Sequence, residues 1–346
     1  MPSINTSQKK ADKSERWVFD VSDYISHAAW SNDSLFFAVA LASGPIRIFN
    51  RKDGSQKTID GHKFGTMEVS WSQDNSKIAS AGQDGQLKIW DVTTQKLLKS
   101  SEAGSQWVEH ITWSPDGNHI ASAAGKILKV WNANGEMIQE YREHPSTITA
   151  LHWNSTGKEI ATASYGKIMI FQIGKIEPQQ ILLYPSSLIS LSWHTSGKWI
   201  VAGTQEGSVH GWKIPHKEGN DIDIQGYETK ITQLSWSKNG KYLATVGGSW
   251  IVIWDFSGKG PQGQKPEILK DQRKVTQMSY QNNGDLLVSG TKDGAVLFWR
   301  QTVPEKTRLE KHVGSPINHI RWSPDGSSLA ICTDDGKIRI WDSPTV

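Results

Sequence analysis

The chain has 346 residues, 36% hydrophobic and 21% charged, which suits two ordinary domains or one large all-β domain and is too apolar for a disordered chain. Its 38 basic and 35 acidic residues leave a net charge of +3, too little to attract nucleic acid or anionic membrane through bulk charge. A single cysteine, Cys332, rules out an internal disulfide and favours a reducing compartment, and no apolar run reaches the length of a membrane-spanning helix.

The first residues, "MPSINTSQKKADKS", carry lysines with no apolar core behind them, so a secretory signal is not expected. Residues 1–15 are read as a mobile polar tail and residues 16–346 as one domain. The domain opens on "RWVFDV", where Trp17, Phe19 and Val21 alternate with Arg16, Val18 and Asp20 as in a half-buried strand.

From there the chain repeats. Aromatic residues recur at Trp30, Trp71, Trp113, Trp153, Trp193, Trp236, Tyr280 and Trp322, at intervals of 41, 42, 40, 40, 43, 44 and 42 residues. A second aromatic follows each after 18 or 19 residues, at Phe49, Trp90, Trp131, Phe171, Trp212, Trp254, Trp299 and Trp341. Between the two lie a turn such as "SPDG", a strand such as "HIASAA", a tight Gly-bearing turn and a second strand such as "QLKIWD". One strand precedes the first aromatic and a short segment follows the second. Four strands joined by tight turns make one meander sheet, and no helical period intervenes.

These features resemble the WD-repeat β-propeller family over residues 16–342. "WD" stands at Trp90-Asp91, Trp254-Asp255 and Trp341-Asp342, and "GH" at Gly61-His62. The resemblance implies an all-β, eight-bladed propeller of four-stranded antiparallel blades. Its last blade lacks an outer strand, which residues 16–21 are expected to supply to the sheet of residues 316–342. The family's structural hydrogen-bond set falls on His62, Ser80, Asp84 and Trp90 in the second unit. The seventh unit keeps Ser289, Asp293 and Trp299 but has Asp271 in place of the histidine.

Thirteen of the seventeen tryptophans occupy the two repeat positions and are read as packing between blades. The others are Trp17, with the closure role, Trp199, read as packing on a neighbouring blade, Trp107 and Trp250. The resemblance implies partner contacts on the narrow face, at Tyr24, Ser26, Met67, Gln83, Trp107, Glu109, Thr147, Thr149, Tyr165, Gln205, Lys230, Lys274 and Lys292. An off-pattern Trp near Tyr and Met is the composition of a protein-binding hot spot. The long links after Trp212 (213–221) and Trp254 (256–266) form a rival surface on the opposite face.

Three chemical readings carry less. "GKGPQG" at Gly258–Gly263 matches G-x-G-x-x-G but is followed by Pro266 and a strand, not the helix a pyrophosphate needs. His27, Glu68, His110 and His319 share one repeat position, but ring geometry is expected to hold them too far apart for a metal. Cys332 lies inside a strand and is read as a packed thiol.

The expected function is therefore a non-catalytic scaffold that binds one or more proteins, with no cofactor and no metal. Membrane and nucleic-acid partners are not expected, and the chain is expected to be monomeric and cytoplasmic or nuclear. The alternatives are a ligand- or metal-binding propeller, catalytic or not, that uses the central channel, and a component of a ribonucleoprotein or nucleic-acid complex.

Overall fold

A lone hairpin of short alternating strands cannot bury its apolar face, so each repeat must stack on its neighbours. The computed structural model describes residues 14–104, 107–258, 260–300 and 308–344, and every regular element in them is a strand. The second unit shows the pattern. Its inner strand Thr66–Trp71 pairs with Lys77–Gly82, which pairs with Gln86–Asp91, which pairs with the outer strand Leu97–Glu102, all antiparallel. Inner strands of successive units touch one another, and the last, Ile317–Trp322, touches the first, Ile25–Trp30, which closes a ring.

The expectation of eight separate four-stranded blades is corrected. The described strands form seven hydrogen-bonded sheets, six of four strands and one of six. The fourth and fifth repeats share the six-stranded sheet through two 14-residue strands, Glu159–Gln172 and Gln180–Trp193. The reason is local. Elsewhere an irregular link separates an outer strand from the next inner one, but here Tyr184 to Ser187 stays extended. Ser187 pairs with Tyr165 and Leu188 with Thr204, so pairing passes from one repeat to the next through an irregular register with no loop between them.

The repeat aromatics explain the stacking. The indole N–H of Trp71 donates to the Ala29 carbonyl (3.1 Å), that of Trp193 to His152 (3.2 Å) and that of Trp30 to Arg321 (3.0 Å). Each bond ties a buried Trp to the inner strand of the preceding repeat, satisfying its polar atom while its rings fill the space between sheets. Off the pattern, Trp199 is buried edge-on against Phe256 of the following repeat, 5.6 Å between centroids.

The closing sheet takes its outer strand from the other end of the sequence. Glu15–Asp20 pairs antiparallel with Lys337–Asp342, and the Asp342 N–H donates to the Ser14 carbonyl (2.8 Å). Phe19 is buried against Phe49, and the Trp17 indole donates to the Arg51 carbonyl (2.9 Å). Gly54 lets the Trp17 ring lie flat on the backbone, since a Cβ there would meet it at 2.7 Å. Arg16 with Asp342 and Arg339 with Glu15 pair across the seam at 3.0 and 2.8 Å. Of the segment 1–15, residues 1–13 lie outside the described residues.

Candidate functional site

Several sheets are pinned by polar atoms buried beside their second and third strands. In the second unit the Trp90 indole donates to Ser80 Oγ (2.8 Å), and Ser80 Oγ lies 2.8 Å from His62 Nε2. His62 Nδ1 lies 2.7 Å from Asp84. One proton arrangement satisfies all four residues: Ser80 donates to Nε2, and Nδ1–H donates to the carboxylate. That is a neutral imidazole, and burial lowers the His62 pKa below its ordinary value although Asp84 opposes the shift. The fourth unit repeats the tautomer with His144, which donates to the Lys126 carbonyl and accepts from Thr162 at 3.0 and 2.9 Å. Burial pulls His144 down to about 4. In the seventh unit Trp299 bonds Ser289 at 3.0 Å, and Asp271 accepts from Arg273 at 2.8 Å.

The sixth unit reaches the same end differently. Trp254 donates to the Tyr227 hydroxyl (3.0 Å), Tyr227 bonds Thr245, and Thr245 donates to the Val252 carbonyl (3.1 Å). A tyrosine thus stands in the histidine's place, and burial pushes its pKa up to about 12. Searching for His hid this post from sequence reading.

The inner strands mix fully buried residues with half-buried ones. His27, Glu68, His110 and His319 occupy the half-buried positions, and three of them converge where the sequence predicted separation. Glu68 lies between His27 (3.6 Å) and His110 (3.3 Å), while the His27 and His319 rings meet edge to face at 6.2 Å. The repeat brings one inner strand's side chain against the next, so a carboxylate reaches both neighbours. Burial alone would lower His110, but the Glu68 hydrogen bond and charge outweigh it and raise its pKa. Among the described residues no group of three or more His, Cys, Asp or Glu is arranged to hold a metal ion.

Antiparallel pairing puts the start of each inner strand beside the end of the second, as in Ile25 with Leu41 and Thr66 with Gly82. The predicted narrow-face residues therefore gather at one end of the ring. Tyr24, Trp107 and Tyr165 are exposed there, at 52%, 52% and 59%. Phe64 joins them at 76%, held at a positive φ of 66° in the link before the second inner strand. It was missed because it stands off both repeat positions, although an aromatic beside Gly in a polar link is itself a surface signal. Met67 and Gln83 touch through a Gln83 Nε2 to Sδ contact of 3.6 Å. Lys274 and Lys292 are exposed neighbours, the Lys292 N–H donating to the Lys274 carbonyl at 3.0 Å. Lys230, Gln205 and Thr147 are exposed as well.

Three predicted contacts are used within the ring. Ser26 Oγ donates to Ala40 and, across to the next repeat, to Thr66 (2.6 Å). Thr149 clasps Ala163 and Leu188 in the same way, and so does Thr276, which sequence reading passed over. Glu109 accepts the Gly125 N–H at 3.1 Å. On the far face, the long links border a groove of about 270 Å³ lined by Asp221, Asp223 and Pro261–Gln264. No helix follows the Gly258–Gly263 segment, in which Lys259 lies outside the described residues. Cys332 is fully buried in a strand, and burial pushes its thiol pKa up, away from nucleophile chemistry.

A family model described as the IFT122 first beta-propeller matches residues 65–342. Relatives include a WD repeat-containing protein WDS homolog of Arabidopsis thaliana, 21% identical over 99% of this chain and 58% of that protein. WD repeat-containing protein 1 of Gallus gallus is 21% identical over 95% and 56%, and a WD repeat-containing protein 26 homolog of Arabidopsis thaliana is 23% identical over 99% and 51%. The chain thus spans between 51% and 58% of the length of these curated relatives. The crystal structure of the computationally designed Ika8 protein superposes with a TM-score of 0.79 at 20% identity, covering 94% of this chain and 98% of that one, a likeness of fold. With the IFT122 first-propeller family matching most of its length and WD-repeat relatives nearly all of it, the chain belongs to the WD-repeat β-propeller family.

Proposed function

We propose that the chain is a non-catalytic, monomeric scaffold that docks a protein partner on the narrow face, centred on Trp107. One observation carries this reading: four aromatics, Tyr24, Phe64, Trp107 and Tyr165, stand exposed at one end of the ring. Large exposed aromatics cost solvation without supporting the fold, and such residues anchor protein interfaces. Met67, Gln83, Lys230, Lys274 and Lys292 complete the contact set, while Ser26, Glu109 and Thr149 shape its floor. WD-repeat relatives support the scaffold role, and the lone buried cysteine supports a reducing compartment, cytoplasmic or nuclear.

Affinity capture of the partner by purified protein tests the placement. Trp107→Ala is expected to weaken recovery about tenfold or more, since a hot-spot Trp contributes about 2 kcal/mol. Its melting temperature should stay at the wild-type value, because the side chain is half in solvent. Shortening Gly258–Gly263 on the far face should leave recovery intact. Loss only in that deletion would move the site to the far face.

A further inference from the structure

A second cavity is independent of the Trp107 surface. It measures about 130 Å³ and sits in the sixth unit, walled by Tyr227, Trp250, Val252, Trp254 and Ile268, with Glu228 at its rim. The sequence explains the opening. In the second unit the turn between second and third strands carries Gln83-Asp84-Gly85, and Asp84 closes onto His62. The sixth unit has only Gly248-Ser249 before Trp250, one residue fewer and no aspartate. The space an Asp–His pair would fill is left to aromatic walls.

The polar atoms of Tyr227 and Trp254 are already used. The Trp254 N–H is spent on Tyr227, and the Tyr227 hydroxyl on Thr245. The cavity offers mainly ring faces, with one indole N–H on Trp250, whereas a primary ammonium needs three acceptors to replace its water. Glu228 is exposed and has no ion-pair partner among the described residues. The Trp250 ring already receives one cation from outside this cavity: Lys270 Nζ, which borders the neighbouring cavity, lies 5.0 Å from its centre. Aromatic faces, apolar walls and one carboxylate suit a cation that carries methyl groups in place of N–H donors.

We propose that this cavity binds a quaternary ammonium group, stacked on Trp250 and neutralised by Glu228. Calorimetric titration and saturation-transfer NMR of the whole chain with choline, tetramethylammonium and 3,3-dimethylbutanol, the neutral isostere of choline, test it. Choline and tetramethylammonium should saturate, with the neutral isostere about tenfold weaker. Trp250→Ala should lose about tenfold in choline affinity at an unchanged melting temperature. Glu228→Gln should weaken binding by removing the neutralising charge. Trp107→Ala should bind choline like wild type, so failure of the narrow-face reading leaves this site standing. A trimethyllysine peptide beside its unmethylated form, and phosphatidylcholine vesicles, distinguish a protein-borne from a lipid-borne group; choline binding alone points to a free small molecule. Equal binding of choline and its isostere, unchanged choline binding by Trp250→Ala, or no saturable binding by wild type would each overturn the proposal.

Discussion

The second and sixth units solve one problem with different residues. Both must hold an indole N–H buried between two strands, and both end on a Trp bound to a hydroxyl. The second uses a histidine tied to an aspartate, so its turn is closed and charged. The sixth uses a tyrosine that needs no aspartate, so its turn is shorter and leaves a cavity. The constraint lies in the geometry of the hydrogen-bond chain and not in residue identity.

Gly82 and Gly247 occupy the same position in the two units, and replacing each by Ala separates the designs most sharply. A Cβ on Gly82 would lie 2.3 Å from His62 Cγ, in a ring fixed at both nitrogens. Gly82→Ala is expected to cost about 3 kcal/mol, as overpacking does where nothing can yield. At Gly247 a Cβ would meet the movable end of the Ile231 side chain at 2.5 Å, with Tyr227 Cβ at 2.8 Å and the Thr229 carbonyl at 2.9 Å, milder contacts with fixed atoms than at Gly82. Gly247→Ala should cost less, about 1–2 kcal/mol. Urea unfolding of both variants checks the order, and equal losses would mean that the sixth post is as rigid as the second.

Removing the hydroxyls comes next. Ser80→Ala strips a partner from both His62 and Trp90, and about 2 kcal/mol should be lost. Tyr227→Phe orphans the Trp254 N–H beside a cavity that water can enter, so about 1 kcal/mol is expected. Thermal or urea midpoints read the difference.

The smallest effect is in pH dependence, and its sign differs between the units. Burial lowers His62, so below pH 6.5 the unfolded chain takes a proton that the folded chain refuses. Its contribution is full above that value and declines as pH falls. His144 and His319, lowered by burial to about 4 and about 3, act in the same direction. Tyr227, raised from 10.0 to about 12, contributes fully below pH 10 and loses that contribution as pH rises towards 12. Urea midpoints across pH should show a shallower acid limb for His62→Gln and a shallower alkaline limb for Tyr227→Phe. Unchanged limbs would mean that other groups set both.

The strands were legible because the Trp spacing and strand alternation report local structure directly. The number of sheets was not, because it depends on whether a link breaks the ladder. Tyr184 to Ser187 contains a proline and two serines, yet the chain stays extended through it and Ser187 still pairs with Tyr165. For the site, Trp107, Tyr24 and Tyr165 follow from repeat position alone. Ser26 and Thr149 sit at the same positions but find carbonyls in the next repeat, a contact visible only after the ring is assembled. The Glu68 bridge to His27 and His110 was underestimated for the same reason: it is set by the distance between neighbouring inner strands. The Tyr227 post escaped because Tyr and His share a role in this fold without sharing a pattern.

The seam between Glu15–Asp20 and Lys337–Asp342 has a consequence for how the ring is made. Every other strand pair joins segments that leave the ribosome close together in time. This pair cannot form until the last strand has emerged, so the nascent protein is an open arc with two bare edges. Throughout that interval the early strand Glu15–Asp20 has no ladder of its own, and Phe19 has only half its burial. Loop closure over more than three hundred residues is entropically expensive but grows only logarithmically with length, so the step is late and not forbidden. The window between arc and ring is where a chaperone would find its handle, and where two arcs could exchange their closing strands.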